Sequence, residues 1–567
     1  MKKANKILTL AMCAAMVLTA TACGGSDGGD GDKTGGTEVE IQLYNPGGYG
    51  KEFLEKWGEE FAKTYKEEGY TINITKAEKD INVDYEIQTP KKTTTDIYFA
   101  GGFDLAGGID NGVTVFKDPN KVLLEDLTES FYNSHAIGKD GVEESVTIKE
   151  KMNREVFQYT QYYGMKEQWY GKYYYVPWVN SVTGFSVNKD LLNNTFHLEI
   201  PVTTDEMIEQ FDTIRNSGTG IAPQVTAMDN AYGWWEYVTN VWWAQYSGTE
   251  TWENFYKVIP ATGNAKDNGY EVYNDDGMEY AHRVLFQMLR TENAPANSGG
   301  WDATFAAASE LNGEAVYFIT GDWLANEMKR EFPTQGAAMT MMKTPIISEL
   351  GVKLRLDGST SGEADAAKCE EVLRKAVRGI DTAGKTNAEV IAEVTADCGV
   401  TLTDAQVEAL RVARGIYYNL GYNHQCIIPS FSTEKEIALL FLRFMASDDG
   451  IQIFRECTQA NLPFKPTREL VMEYTELQRS CSEIANGDYS YSICGNNSFS
   501  RLRILGLQRF NGTWSNVILH SWNDAILTAD EKTGTVKEQA TRAAKKFRDN
   551  EYAWAQDNWA SLVLIAY

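Results

Sequence analysis

The chain has 567 residues, 53 Lys and Arg against 79 Asp and Glu, and a formal net charge of −26. That length suits two sizeable lobes or domains, and so acidic a surface repels nucleic acid and argues against such a partner. Aromatic residues reach 12%, with 14 Trp.

The first element is an export signal. Lys2, Lys3 and Lys6 precede an apolar run from Ile7 to about Leu18, followed by small residues. Basic end, short apolar core and small residues before a cut make a secretory signal, and the run falls short of the roughly 20 apolar residues that span a bilayer. Ala20-Thr21-Ala22-Cys23 resembles the bacterial lipobox, whose Cys receives a diacylglycerol, with Ala20 where Leu is usual. The alternative is ordinary cleavage with Cys23 incidental. The expectation is therefore a signal peptide over 1–22, then lipidated Cys23 and a Gly/Asp-rich flexible tether over 23–39. A lipid followed by a tether anchors a protein to the outer face of the cytoplasmic membrane, as on a Gram-positive-type cell surface. Removing the first 22 residues takes away three Lys and no acid, leaving 50 basic and 79 acidic side chains, net −29.

Beyond the tether, strands alternate with helices. "EVEIQLYNP" reads as a strand and "GKEFLEKWGEEFAKTYKEEG" as an amphipathic helix ending at Gly69. "YTINITKA" and "TTTDIYFAGG" follow as strands, and "KYYYVPW" with "SVTGFSVNKDLL" as a strand pair. "PVTTDEMIEQFDTIRNSG" opens a helix with a capping box from Thr203 to Glu206. Alternation of this kind predicts open α/β sheets, in which ligands sit beyond the carboxyl ends of the strands. Those ends are "YNPGGYG" and "FAGGFD".

"YGWWEYVTNVWWAQYSG" (Tyr232 to Gly248) reads as one helix with four Trp and three Tyr. At about 100° per residue, Trp234, Val238, Val241 and Trp242 share a face, and Trp235, Trp243 and Tyr246 extend onto another. The arc exceeds the roughly 100° of a core stripe. Trp234 and Trp242 are expected in the core, whereas Trp235 or Trp243 either lines a cleft or is buried as well.

"GIDTAGKT" (Gly379 to Thr386) fits the phosphate-loop pattern, but such a loop must follow a buried strand and open a helix. What precedes it, "DAAKCEEVLRKAVR", is an amphipathic helix, and "NAEVIAEVTADC" is a second. The stretch reads as the turn between them, so no ATP is expected. "GGSDG" at Gly24 matches a hydrolase elbow only by accident of the tether. Six Cys (369, 398, 426, 457, 481 and 494) remain in the mature chain besides Cys23. Their irregular spacing leaves a Cys369–Cys398 bridge or buried thiols as alternatives. The five His are scattered with no pair at ligand spacing, so no metal is expected.

The run "GKYYYVPW…GFSVNKDLL…IPVTTDEMIEQF", then "LNGEAVYFITGDWLAN", then "HQCIIPSFSTEKEIALLFLRFMASDDGIQIF" resembles, in order, the extracellular solute-binding proteins of ABC importers, in particular the carbohydrate-binding group. The chain is longer than usual, and residues about 355 to 415 have no counterpart in the common pattern. The resemblance implies an α/β, two-lobed periplasmic-binding-protein-like fold with a ligand cleft and multiple hinge crossings, near Val182, Ile319 and Ile427. Lobe one would hold 40–181 and 320–426, lobe two 183–318 and 428–567. It implies a non-enzyme without cofactor that passes a carbohydrate, by resemblance an oligosaccharide, to ABC permease subunits.

A sugar has an apolar C–H face and a rim of hydroxyls, so its sites combine flat rings with orienting polar groups. In the family the Trp after the Gly of "ITGDW" stacks on a sugar ring; by resemblance that is Trp323. Tyr44, Asn45, Tyr49, Trp178, Tyr422 and Asn423 offer the same mix, with Trp235 and Trp243. Asp322 and Asp96 would bind hydroxyls through charge-assisted hydrogen bonds or else brace turns. A secreted glycoside hydrolase and a peptide-binding or sensor lipoprotein are the rival readings.

Overall fold

The computed structural model describes residues 37–44, 46–76, 83–101, 105–153, 160–162, 167–227, 231–296, 298–329, 331–332, 339–421, 424–495 and 526–566. Cys23, the tether up to residue 36, Asn45, Tyr422 and Asn423 lie outside these residues.

The strands in chain order are β1 (Glu38–Tyr44), β2 (Thr71–Lys76), β3 (Ile97–Gly101), β4 (His135–Ile137), β5 (Glu143–Thr147), β6 (Val176–Pro177), β7 (Thr183–Asn188), β8 (Ala222–Val225), β9 (Ala315–Gly321), β10 (Met339–Met342), β11 (Ile416–Tyr418), β12 (His424–Ile427) and β13 (Tyr491–Ile493). Two main sheets result. Sheet one has the order β2-β1-β3-β12-β6; sheet two runs β13-β11-β7-β9-β8, with β10 also on β7; β4 and β5 pair apart. The molecule is α/β and two-lobed, one sheet to a lobe.

In sheet one, β1 buries Val39, Ile41 and Leu43 at alternate positions and runs parallel to β2 and β3. Parallel strands need a crossover connection, here the helix Glu52–Thr64 between β1 and β2. Its buried Phe53, Leu54, Trp57 and Phe61 repeat at three and four residues, which makes one apolar stripe. Trp57 Nε1 donates to Gly450 O at 2.9 Å, tying this helix to Asp448–Thr458. Gly58 allows the close approach to β2, since a Cβ there would lie 3.3 Å from Ile72 Cβ. In sheet two, β7 (TGFSVN) and β9 (AVYFITG) are buried along their whole length. Strands covered on both faces lose the polar alternation of a half-exposed strand, and each buried Val, Ile or Phe contributes roughly 1.5–3 kcal/mol.

Among the described residues the chain passes between the sheets three times. Residues 178–182 lead from β6 to β7, residues 419–421 leave β11 on the way to β12, and residues 459–475 lead from the helix Asp448–Thr458 toward β13. The described parts of these crossings bond to one another: Asn180 N donates to Asn461 O at 2.7 Å, Asn419 Nδ2 to Asn180 Oδ1, and Leu420 N to Ser181 Oγ at 2.8 Å. Strand pairing corrects two expectations. Among the described residues no crossing lies near Ile319, because β9, β10 and β11 all pair with β7 in sheet two. Residues 424–458 belong instead with sheet one, where β12 pairs β3 and the helix Lys435–Met445 packs on β4 and the helix Glu52–Thr64.

The added helical piece comprises Ala366–Asp381, Asn387–Cys398 and Asp404–Gly415, capped by Asp365, Thr386 and Thr403. It packs on the Glu349–Lys353 and Ala231–Ser247 helices, in the lobe of sheet two. "GIDTAGKT" is the end of one helix, a turn and the capping box of the next. Cys369 and Cys398 are free thiols, as are Cys426, Cys457 and Cys481. No described helix is long and apolar enough to cross a membrane.

Candidate functional site

Two loops, one from each sheet, meet beyond the strand ends. From sheet one comes the turn Gly47–Tyr49 after β1; from sheet two comes Asp322-Trp323 after β9, leading into the helix Leu324–Met328. The Tyr49 hydroxyl donates to Asp322 Oδ1 at 2.7 Å. Asn326 Nδ2 donates to Gly48 O. The Asp322 backbone is fixed by its N–H donating to Val182 O at 3.0 Å, and its Oδ2 accepts from Val182 N at 3.4 Å. The carboxyl therefore sits beside the first crossing.

Asp322 is 2% exposed. Burial pushes its carboxyl up to about 7, opposed by hydrogen bonds from Tyr49 and from backbone N–H groups of Val182, Asp322 and Trp323. Burial and the adjacent carboxyl push the Tyr49 phenol well up, so it remains a donor at neutral pH.

Trp323 is 9% exposed. Its ring stands edge-on to Tyr49 (6.4 Å between centroids), Trp234 (6.0 Å) and Tyr237 (6.2 Å). Gly321 makes room for it, because a Cβ there would lie 2.1 Å from Trp323 Cζ3. Tyr237 in turn stacks on Tyr418 at 5.8 Å, and the Tyr418 hydroxyl donates to Glu236 at 3.1 Å. Several rings and a carboxyl converge, a combination able to take both the C–H faces and the hydroxyls of a sugar.

The remaining expected residues are placed elsewhere. Trp178 is fully buried, stacked on Phe53 at 5.2 Å and edge-on to His424 at 4.9 Å; it backs Tyr49 (6.0 Å) rather than lining a cleft. Its Nε1 finds no acceptor among the described residues. Asp96 is a brace, accepting from Glu40 N at 3.0 Å and Ser432 Oγ at 2.6 Å. Half-buried Tyr44 packs with the cluster around Tyr98 and Ile427. Trp243 is buried, donates to Asp275 at 3.0 Å and packs on Phe255 at 4.7 Å, inside the lobe. Trp235 is also buried in the core. Trp242 is in the core as expected, its Nε1 donating to Pro345 O at 3.2 Å. Trp234, expected there, is half-buried; it packs against the core and abuts Trp323. Trp234 and Tyr237 lie three residues apart on one helix face; that spacing was the available signal.

A separate cavity of roughly 860 Å³ lies beside the helical piece, lined in part by residues 380–388, Arg411, Arg414 and Tyr489. Its cations are engaged within the protein. Arg414 meets Asp381 at 2.7 Å and Thr344 O at 2.9 Å, Arg411 meets Asn387 at 2.7 Å and Lys385 O at 2.6 Å, and Lys385 pairs with Glu393 at 2.6 Å. The turn resembling a phosphate loop thus spends its lysine on a carboxylate. No cluster of His, Cys, Asp and Glu fit for a metal occurs among the described residues.

Residues 120–352 match the family model of the bacterial extracellular solute-binding protein. No curated protein matches the chain by sequence. Among solved structures, the solute-binding protein RafE in complex with raffinose covers 90% of this chain and 100% of its own at 12% identity, TM-score 0.51. A structure from xylan utilization by Caldanaerobius polysaccharolyticus shows the same coverage and identity at TM-score 0.52. A probable secreted solute-binding lipoprotein from Streptomyces coelicolor covers 90% and 98% at 11% identity, TM-score 0.52. At such identity the likeness carries the fold.

Proposed function

We propose that the protein, whose residues 120–352 match the family model of the bacterial extracellular solute-binding protein, captures a carbohydrate, an oligosaccharide in particular, between its lobes and passes it to the permease of an ABC importer. The observation that carries this reading is the Trp323 ring at the end of β9, beside the Asp322 carboxyl and facing Tyr49 of the other sheet. Stacking a sugar face on an indole removes apolar surface from water, while the neighbouring carboxyl can exchange its hydrogen bond with Tyr49 for one with a sugar hydroxyl. Trp234 and Tyr237 hold the indole upright. The raffinose and xylan associated with the structural neighbours support the same ligand class. Ligand affinity for the closed arrangement would drive hinge motion at the three crossings.

We further infer that Cys23 carries a lipid that holds the protein on the outer face of the cytoplasmic membrane, which supplies the membrane partner, and that no ATP or nucleic acid is bound. A thermal-shift screen with raffinose and xylo-oligosaccharides tests the ligand class, because a ligand of the folded state raises the melting temperature. A shift with peptides and none with any carbohydrate would favour a peptide-binding or sensor role.

A further inference from the structure

Tyr49 follows β1 in sheet one and Asp322 follows β9 in sheet two, so their hydrogen bond joins the two lobes. The Asn326–Gly48 bond and the approach of Gly48 to Trp323, where a Cβ would lie 3.0 Å from Trp323 Cβ, belong to the same contact. We propose that the Tyr49–Asp322 hydrogen bond is a proton-sensitive latch, holding the lobes together while Asp322 is neutral and releasing them when it ionises. As regulation of the cleft, this rests on the solute-binding reading.

The physical basis is a carboxyl whose surroundings change when the lobes part. Closed, Asp322 is buried and keeps its proton up to about 7. Open, it meets water and returns toward the ordinary carboxyl value near 4. The arrangement that holds the proton more tightly is favoured by acid. An ionised Asp322 in the closed contact has hydrogen-bond donors around it, the Tyr49 hydroxyl and three backbone N–H groups, but these do not fully offset lost hydration.

The other titratable groups facing the contact come from four elements. Tyr237 on the helix Ala231–Ser247 and Cys481 on the helix Glu476–Asn486 are both raised by burial and stay neutral. His424 at the start of β12 faces Tyr49 at 5.1 Å and is held down to about 4 by burial, so it too stays neutral. Glu327 on the helix Leu324–Met328 lies against Gly48, and burial raises it. As a second carboxyl at this contact, it serves as the control.

The closed-to-open ratio should fall by up to about tenfold per pH unit between roughly 4 and 7, then level off. The test is small-angle X-ray scattering between pH 5 and 8.5 without added carbohydrate, on the chain carrying Cys23→Ala so that no lipid is attached. The radius of gyration should rise with pH to a plateau above 7. Asp322→Asn, neutral at every pH, should remain compact throughout; Tyr49→Phe should be more expanded than the parent at pH 5; Glu327→Gln should keep the parent profile. An identical radius at pH 5 and 8.5, a pH response retained in Asp322→Asn, or one abolished by Glu327→Gln overturns the latch. Should Asp322→Asn fail to fold, an unchanged radius in Tyr49→Phe overturns it equally. Since no sugar is present, a working latch would stand even if every carbohydrate failed to bind.

Discussion

Replacing Glu310 with Gln should make the protein more stable at pH 8. Glu310 lies on the helix Ala303–Leu311 with no exposure, its two carboxyl oxygens 2.8 and 2.7 Å from Ser186 Oγ on β7. Ser186 Oγ is also 3.3 Å from Phe318 O. A serine has one hydroxyl hydrogen. A neutral Glu310 satisfies all three groups, by donating to Ser186 while Ser186 donates to Phe318. Burial agrees, pushing the carboxyl up to about 8. The folded state thus keeps a proton that the unfolded chain releases near 4.5. That stabilisation is complete below about 4.5 and is lost as pH rises through 8, to a total of roughly 5 kcal/mol. In Glu310→Gln the amide N–H takes over the donation to Ser186 and does not titrate. Urea unfolding at pH 5, 6.5 and 8 would read this out. The substituted protein should match the parent most nearly at pH 5 and exceed it by several kcal/mol at pH 8. Asp322 titrates in the same window but is common to both proteins, so their difference isolates Glu310. Parallel stability curves for the two would refute the reasoning.

Other expectations are simpler. Cys23→Ala should abolish lipid labelling and release the protein into the medium; retention at the membrane contradicts the anchor. Lys385→Ala should leave ligand affinity unchanged and ATP should not move the melting curve, because Lys385 is paired with Glu393 at a part-exposed site worth at most about 1 kcal/mol; an ATP-dependent shift lost in the variant would restore the phosphate loop. Trp242→Ala should destabilise the protein by about 3–5 kcal/mol in a denaturant melt, since the ring is fully buried and bonded to Pro345 O; a loss below 1 kcal/mol would contradict its core role.

The fold was legible where information is local. The apolar stripe of the helix Glu52–Thr64 and the alternation in β1 set their own burial. Thr203 caps its helix as read, accepting from Glu206 N at 3.3 Å, but Glu206 reaches back to Val202 N at 2.8 Å instead of completing the box. Strand partnership was not legible. β10 pairs with β7 across about 150 residues, and nothing in its four residues says which sheet it joins, so the crossing expected near Ile319 was misplaced. The Trp-rich helix shows the same limit. Its periodicity gave the faces, but what covers each face comes from afar, Asp275 and Phe255 over Trp243 and Trp323 beside Trp234. Asp96 and Trp178 have site-like chemistry and strand-end positions, yet Ser432 and His424, brought in by the returning chain, enclose them.

Titration calorimetry of oligosaccharides against the intact protein and Trp323→Ala tests the central claim most directly. An aromatic at the centre of a binding site contributes about 2 kcal/mol or more when truncated, so affinity should fall roughly thirtyfold or more. Because Trp323 is largely buried, an unfolding curve must accompany the titration, and Trp323→Phe, which keeps a smaller ring against Tyr49 and Tyr237, should fold normally and retain part of the affinity. Carbohydrate bound by the intact protein, weakened in Trp323→Phe and nearly lost in a folded Trp323→Ala, is the predicted result. Unchanged affinity in either variant, or no carbohydrate binding by the intact protein, would contradict it.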